Sequence, residues 1–393
     1  MTKQAEKDDK PKRSSQGQLI LYHGMKLSTM VKLFRLKPSL RWNRWIRLAL
    51  MPPFGLYNSV WGTIESLAYG RKIRDTKLAG PPVFILGYWR SGTTLLHNLM
   101  ALDEQYAYPT LYETLFPWHF LCTETINTAL TGWMVPKSRP MDNVAVHWGV
   151  PQEDEFALCT MSLVSPYTLP LRPFDQQEWT RSLRIEELPE EDRTLWEQTI
   201  THFMKKLTVR SGRPLLMKSP SHTYRVRALL KLFPDAKFVH IVRHPFDVFN
   251  SAKHLRATMI EENTLGSPEH PHAEESIFAT YLEAFESYER DRHLIPAGNL
   301  SEVRYEDLAA DPVQQLERIY SELQLGDFEQ VRPKLQQQLS EIKDYKRNRF
   351  QHDPYWQQQM YLHCRPVYER FGYPAPETST PEAGQAGPLA SPA

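Results

Sequence analysis

Cysteine is scarce in this 393-residue chain: Cys122, Cys159 and Cys364 are the whole complement, and no two are close in sequence. So odd and scattered a set excludes a disulfide framework and a cysteine-built zinc site. It suits a reducing compartment, and a cytoplasmic protein is the expectation. Neither charge is in excess, with 47 Lys plus Arg against 46 Asp plus Glu. No bulk charge argues for nucleic acid as a partner, so any anion site has to be built locally. Long hydrophobic runs are missing as well. The longest uncharged stretch, Leu48 to Ile64, is short for a membrane span and carries Pro52-Pro53 in its first third. The chain opens on charged and polar residues and not on a secretory signal, so residues 1–18 read as a disordered tail. Metal-ligand spacing is absent too, the 14 His being scattered, and no metal is expected.

What is present is organised around one stretch. Val83-Phe84-Ile85-Leu86 is a short apolar run that reads as a strand buried on both faces. Gly87 to Gly92 is a tight turn, and Thr93-Thr94-Leu95-Leu96 opens an amphipathic helix. A strand, a small-residue loop and a helix start place backbone N–H groups and the positive helix end at one spot, which is an anion cradle. The loop is similar to the phosphate loop of nucleotide kinases. It departs from it where that motif needs Gly-Lys-Ser/Thr, since Gly92 is followed by Thr93-Thr94 and the cation sits earlier, at Arg90.

A second α/β unit follows. Pro214 to Met217 predicts a strand, Ser221 to Phe233 a helix, Lys237 to Val242 a strand and Pro245 to Leu255 a helix. Alternation of this kind implies a parallel sheet with its ligand site at the carboxyl ends of the strands, where Arg90, Lys218 and Arg243 all fall. Arg243 closes a strand and Ser251 lies eight residues on, two turns into the next helix, so both can converge on one phosphate. Residues Arg256 to His272 read as a polar loop, long enough for a lid. Helices are expected at Pro109–Leu130, after Pro151-Gln152-Glu153-Asp154-Glu155, and at Glu190–Val209, Glu274–Arg292 and Tyr355–Phe371. Val135 to Asn143 reads as a loop and Glu302-Val303-Arg304 as a short strand.

Three stretches together resemble the sulfotransferases that use 3′-phosphoadenosine 5′-phosphosulfate (PAPS). Arg90, Ser91, Gly92, Thr93 and Thr94 match that family's 5′-phosphosulfate loop. Arg243, Pro245, Asp247 and Ser251 match its Arg-x-Pro-x-Asp-x-x-x-Ser pattern for the 3′-phosphate. Val303-Arg304-Tyr305-Glu306-Asp307, running on to Pro312, looks like its later strand-and-helix element, with Tyr305 facing the nucleotide. Lys218-Ser219-Pro220-Ser221-His222 is similar to the Lys-Ser-Pro-x-His of a widespread branch. Trp89 is a departure, since the family usually has Pro before the basic residue.

The resemblance implies an α/β, P-loop-like three-layer fold over residues 81–373, after a helical region at 19–80 and before a disordered Pro/Ala/Ser/Gly-rich tail at 374–393. It implies sulfuryl transfer from PAPS to a hydroxyl or amine without a metal. Arg90 would hold the leaving phosphate, and Lys218 the transferring oxygens. A base must take the acceptor's proton. Glu113 stands at the distance from the loop helix at which the carbohydrate and tyrosyl-protein sulfotransferases carry theirs. Thr110-Leu111-Tyr112-Glu113 equally fits a capping box, in which Glu113 only satisfies a backbone N–H. Glu153, Glu155 and His147 are the other candidates. A P-loop kinase or NTPase and a non-catalytic nucleotide-binding scaffold are the competing readings. Aromatic residues between 104 and 180 suit a small-molecule, lipid or carbohydrate acceptor alike. Residues 32–64 interleave Lys32, Lys37, Arg41, Arg44 and Arg47 with Trp42 and Trp45, which fits either a peripheral membrane contact or a helical lid with its cations in solvent.

Overall fold

Short runs, mostly apolar in the interior strands, form the sheet. In the computed structural model, which describes residues 20–135, 146–171, 176–267, 273–341 and 353–376, the strands are β1 (Val83–Leu86), β2 (Leu216–Lys218), β3 (Lys237–Val242) and β4 (Leu300–Arg304). All pair in parallel, in the order β2-β1-β3-β4. Ile85 stands opposite both Lys218 and Val239, so β1 is the centre of the sheet and its two neighbours run on to either side of the loop that follows it. A ligand crevice at such a switch point is what an open parallel sheet provides.

Two helices precede the sheet, α1 (Leu27–Arg35) and α2 (Trp45–Asp75). Between β1 and β2 come α3 (Thr93–Met100), α4 (Leu111–Leu115), α5 (Phe120–Thr131), α6 (Glu155–Ser162), α7 (Gln176–Arg181) and α8 (Glu190–Ser211). Next, α9 (Val226–Leu232) leads to β3, and α10 (Pro245–Asn263) and α11 (Ala273–Asp291) lead to β4. The chain closes with α12 (Tyr305–Ala310), α13 (Pro312–Leu323), α14 (Arg332–Glu341) and α15 (Pro354–Phe371). Alternate residues of β1 enter different cores. Phe84 and Leu86 pack with Trp196, Phe203 and Leu229 of α8 and α9, whereas Val83 and Ile85 pack with Leu96, Leu316 and Ile319 of α3 and α13. That is the expected three-layer α/β arrangement, with helices on both faces of a parallel sheet.

Several boundaries differ from the sequence-based expectation. The stretch from Arg256 is not loop at its start, since α10 runs on through Asn263. Arg256 is buried there, donating to Ser276 Oγ (2.8 Å) and lying over Trp179, so a charge that looked solvated is inside. The Ser221–Phe233 helix begins as a 3-10 turn, Pro220–Tyr224, capped by Ser219, and becomes α-helical at Val226. Within the expected helical region, Pro52 and Pro53 sit inside α2. The expected tail at 1–18 and the loop at 136–143 lie outside the described residues, as does the C-terminal tail from 377; residues 374–376 carry no regular structure.

Candidate active site

Gly87 and Gly92 let the chain turn where a side chain could not fit. Their φ values are +146° and +105°, and a Cβ on Gly92 would lie 2.4 Å from the Tyr305 ring. Between them Arg90 also has a positive φ, +71°, without being glycine. Holding an arginine there costs roughly 1–3 kcal/mol, a cost that tends to be tolerated at functional sites. Its guanidinium crosses to the second motif, with Nε donating to Ser251 Oγ at 2.7 Å. Thr93 opens α3 directly behind Gly92, with Thr94 next to it, so the helix N-terminus points into the turn. The sequence-predicted loop and the Arg243/Ser251 motif are therefore one site.

Arg243 leaves the end of β3 and lies over Tyr305, 4.4 Å from the ring centre, with Nη2 3.3 Å from Asp247 Oδ2. Among the described residues its buried Nε has no hydrogen-bond partner, and neither has the buried hydroxyl of Ser91. Buried donors are normally satisfied, and two unsatisfied ones in a cradle of loop N–H groups and arginines fit a polyanionic ligand such as PAPS. Tyr305 walls the cradle from the β4 side, against Gly92 and Arg243.

Besides Asp247, Glu153 brings a carboxylate to the edge of this cradle. Lys218, the last residue of β2 and 1% exposed, donates to Glu153 Oε1 at 2.8 Å. The Tyr167 hydroxyl donates to Glu153 Oε2, and the Trp89 indole Nε1 donates to that hydroxyl at 3.0 Å. Burial, followed by the Glu153 charge, pushes the Tyr167 phenol well above its ordinary value, so it stays a donor. Trp89, the departure from the family's usual Pro, thus connects the phosphate-type loop to the carboxylate through Tyr167.

Glu153 is one of three consecutive acids, each bonded to a residue at or after the end of β2. Asp154 Oδ2 meets His222 Nε2 at 2.7 Å and Glu155 Oε2 meets Arg225 Nη1 at 2.7 Å, all four side chains being inaccessible to solvent. The acids that look like helix-dipole partners at the start of α6 are instead bonded to Lys218, His222 and Arg225. Asp154 and Glu155 anchor the segment, and Glu153, 13% exposed, is the member left toward the crevice.

Glu113 is placed differently. It forms the capping box, with Oε2 accepting from Thr110 N (2.7 Å) and its own N–H donating to Thr110 Oγ1 (3.3 Å). Arg210 Nη1 of α8 lies 3.1 Å from Oε1. The side chain is fully buried, and desolvation outweighs Arg210, pushing the carboxyl up to about 7. His147 is exposed and its Nδ1 accepts from Gly149 N at 3.2 Å. Sequence reasoning named Lys218 and Glu153 separately but not Tyr167 as their companion. No local pattern marks it, since Tyr167 sits in a 3-10 turn, Pro166–Leu171, among other buried residues.

A small apolar cavity opens beside this cluster, lined by Tyr88, Trp89, Tyr167, Leu169, Leu255 and Met259 among others. Among the described residues no group of three or more His, Cys, Asp or Glu is placed to hold a metal ion.

The chain matches the family model described as "Sulfotransferase family" over residues 81–330. It is 35% identical over 372 residues to the omega-hydroxy-beta-dihydromenaquinone-9 sulfotransferase Stf3 of Mycobacterium bovis and, to the same extent, to that of Mycobacterium tuberculosis, in each case across 94% of both chains. Among solved structures, sulfotransferase STF9 from Mycobacterium avium superposes with a TM-score of 0.62 at 16% identity, covering 83% of this chain and 85% of that one. Sulfotransferase STF1 from Mycobacterium tuberculosis H37Rv gives 0.56 at 17% identity, over 79% and 85%. At such identities these two speak for the fold.

Proposed function

The chain belongs to the sulfotransferase family, and we propose that it moves the sulfuryl group of PAPS to the hydroxyl of an apolar, lipid-like alcohol, with Glu153 as the base. A sulfotransferase it is by family; with that, the kinase and scaffold readings fall away. The observation that carries the finer reading is Glu153 held between Lys218 and Tyr167, beside Trp89 and the apolar cavity.

In this reading Arg90, Ser91, Gly92, Thr93 and Thr94 hold the 5′-phosphosulfate, and Arg243 and Ser251 hold the 3′-phosphate, with Tyr305 against the nucleotide. Lys218 faces the transferring oxygens. The acceptor oxygen attacks sulfur in line, its O–H proton passes to Glu153, and the S–O bond to the 5′-phosphate breaks. The phosphate leaves with the electron pair, on which Arg90 and the loop N–H groups act. Tyr167 and Lys218 orient the carboxylate, whose oxygens keep further lone pairs for the incoming hydroxyl. Glu113 is enclosed by the capping box and Arg210, and its role in this reading is the cap.

The acceptor class follows from the cavity wall, which is mostly aromatic and aliphatic, a surface for an apolar chain more than for a sugar. The curated relatives are named for a hydroxylated dihydromenaquinone, an acceptor of the same character. Contact of residues 32–64 with a membrane belongs to the same reading, because such an alcohol resides in lipid. The test is a panel with labelled PAPS: primary alcohols of increasing chain length, prenylated quinols and soluble sugars. Labelled product is expected from the long apolar alcohols. Label in the sugars and none in the alcohols would overturn the acceptor class.

A further inference from the structure

A surface helix of a soluble domain normally turns its apolar side inward. In α2, apart from the buried Met51 and Ile73, small and polar residues hold much of the inward side. Its buried positions include Gly55, Asn58, Gly62 and Glu65. Asn58 Nδ2 donates to the carbonyls of His23 and Met25, and Glu65 pairs with the buried Lys206 at 2.5 Å. A Cβ on Gly55 would meet Met30 Sδ at 2.7 Å, so α1 packs closely against this small-residue side. The outward side carries Trp45, Leu56, Val60, Ile64 and Leu67, spaced to fall on one stripe, and Leu67 is 83% exposed. From Trp45 to Leu67 the stripe runs about 33 Å. Val31 and Phe34 of α1 are exposed too, and Trp42, in the connection to α2, is 87% exposed.

Charge marks the same region. From Ile20 to Ile64 the chain has seven Lys and Arg and no Asp or Glu. Arg44 and Arg47 are occupied with α10, through Glu261 and the carbonyls of Glu261 and Thr264. Lys32, Arg35, Lys37 and Arg41 are exposed, and none has an ion-pair partner among the described residues. They flank the exposed Phe34, Trp42 and Trp45 at one end of the stripe.

We propose that the exposed face of α1 and α2, with the basic connection between them, docks on the surface of an anionic lipid bilayer. Tryptophans at the edge of an apolar face, with cations beside them, match the headgroup boundary of such a membrane. No described helix is long and apolar enough to cross, so the face lies on the bilayer. A second copy of the chain is the poorer occupant, because a two-fold contact would set this acid-free basic segment against itself. The placement also serves the lipid-acceptor reading, on which its purpose rests. A small cavity lined by Leu33, Leu36 and Pro38 at the end of α1 is separated from the acceptor cavity by Trp179, which lines both.

The experiment is co-sedimentation of the full chain with vesicles of phosphatidylcholine alone and of phosphatidylcholine with about a third phosphatidylglycerol. Binding is expected on the anionic vesicles and not on the neutral ones, with release at about 0.5 M salt. K32E/R35E/K37E should lower the bound fraction at least about tenfold, and W42S/W45S should do so at unchanged charge. Both variants should keep calorimetric binding of 3′-phosphoadenosine 5′-phosphate, which shows that they fold. They should also keep turnover of a short soluble alcohol, and its absence in wild type would count against the acceptor reading and not against docking. Wild type left in the supernatant with anionic vesicles, or bound equally to both kinds regardless of the variants, would overturn the proposal. So would a wild-type dimer in solution that W42S/W45S converts to monomer.

Discussion

Two glutamates on segments that pack together show how surroundings divide one residue type into different tasks. Glu113, in α4, is fully enclosed: a capping box holds Oε2, Arg210 stands beside Oε1, and burial lifts the carboxyl to about 7. Glu153, just before α6, meets a lysine at the end of a strand and a tyrosine hydroxyl that is bonded to the indole of the phosphate-type loop. The first region holds Oε2 with a backbone N–H and sets a helix cation at ion-pair distance from Oε1, which makes no hydrogen bond among the described residues. The second ties its carboxylate to two residues that border the crevice, with a cavity alongside. A raised pKa by itself would choose Glu113 as the catalytic group. Connection to the anion cradle chooses Glu153, and geometry comes before pKa when a base is assigned.

The largest expected effect separates the two directly. Glu153→Gln should fold and bind 3′-phosphoadenosine 5′-phosphate as wild type does, yet lose roughly 10²–10⁴-fold in turnover. Glu113→Gln should stay within a few-fold. A reversed pattern in steady-state assays of the two proteins would break the comparison and return the base to α4.

A smaller effect tests the cradle on which the comparison depends. Arg243→Ala removes a charge-assisted bond worth roughly 1.5–3 kcal/mol, so calorimetry should show affinity for 3′-phosphoadenosine 5′-phosphate falling about 10- to 100-fold. Adenosine 5′-phosphosulfate, which lacks the 3′-phosphate, should bind the variant as it binds wild type. Equal losses for both ligands would remove the 3′ assignment.

The last effect is on stability and concerns the enclosed glutamate alone. With its folded-state pKa near 7 and an ordinary value of 4.5, Glu113 holds its proton in the folded chain where the unfolded chain has lost it. Its contribution is therefore fully present below about pH 4.5 and is lost as pH rises through 7, by on the order of 3 kcal/mol. Glu113→Gln cannot ionise, so denaturant melts between pH 4.5 and 7 should lose that part of the slope. An unchanged slope would show that another group titrates there.

Much of the α/β frame was legible in the sequence because its signals are local. Val83–Leu86 and Lys237–Val242 are strands over the expected residues, and Arg90, Lys218 and Arg243 stand at or just past strand ends. Gly92 and Thr93 mark the helix start through backbone demands that sequence states directly. The capping box at Thr110 and Glu113 was equally readable, since it spans four consecutive residues. Illegible were the pairings across long separations. Glu153 to Lys218 and Glu155 to Arg225 bridge 65 and 70 residues, so the acids looked like helix-dipole partners. Arg256 looked like loop because nothing in its neighbourhood announces Ser276 and Trp179. In α2 the apolar spacing was visible, but which side faces the protein was not. That choice is set by Lys206 and the carbonyls of His23 and Met25, partners that tertiary structure alone supplies.

The claim that Glu153 takes the acceptor's proton is tested most directly by varying how much help that proton needs. Turnover of Glu153→Gln should be measured, relative to wild type, on an aliphatic alcohol and on a series of increasingly acidic phenols of similar size. An acceptor already ionised in solution requires no base, so the deficit of roughly 10²–10⁴-fold on the alcohol should shrink to a few-fold on the most acidic phenol. A deficit that stays the same across the series would mean that Glu153 holds the site in shape without receiving the proton, and would contradict the account.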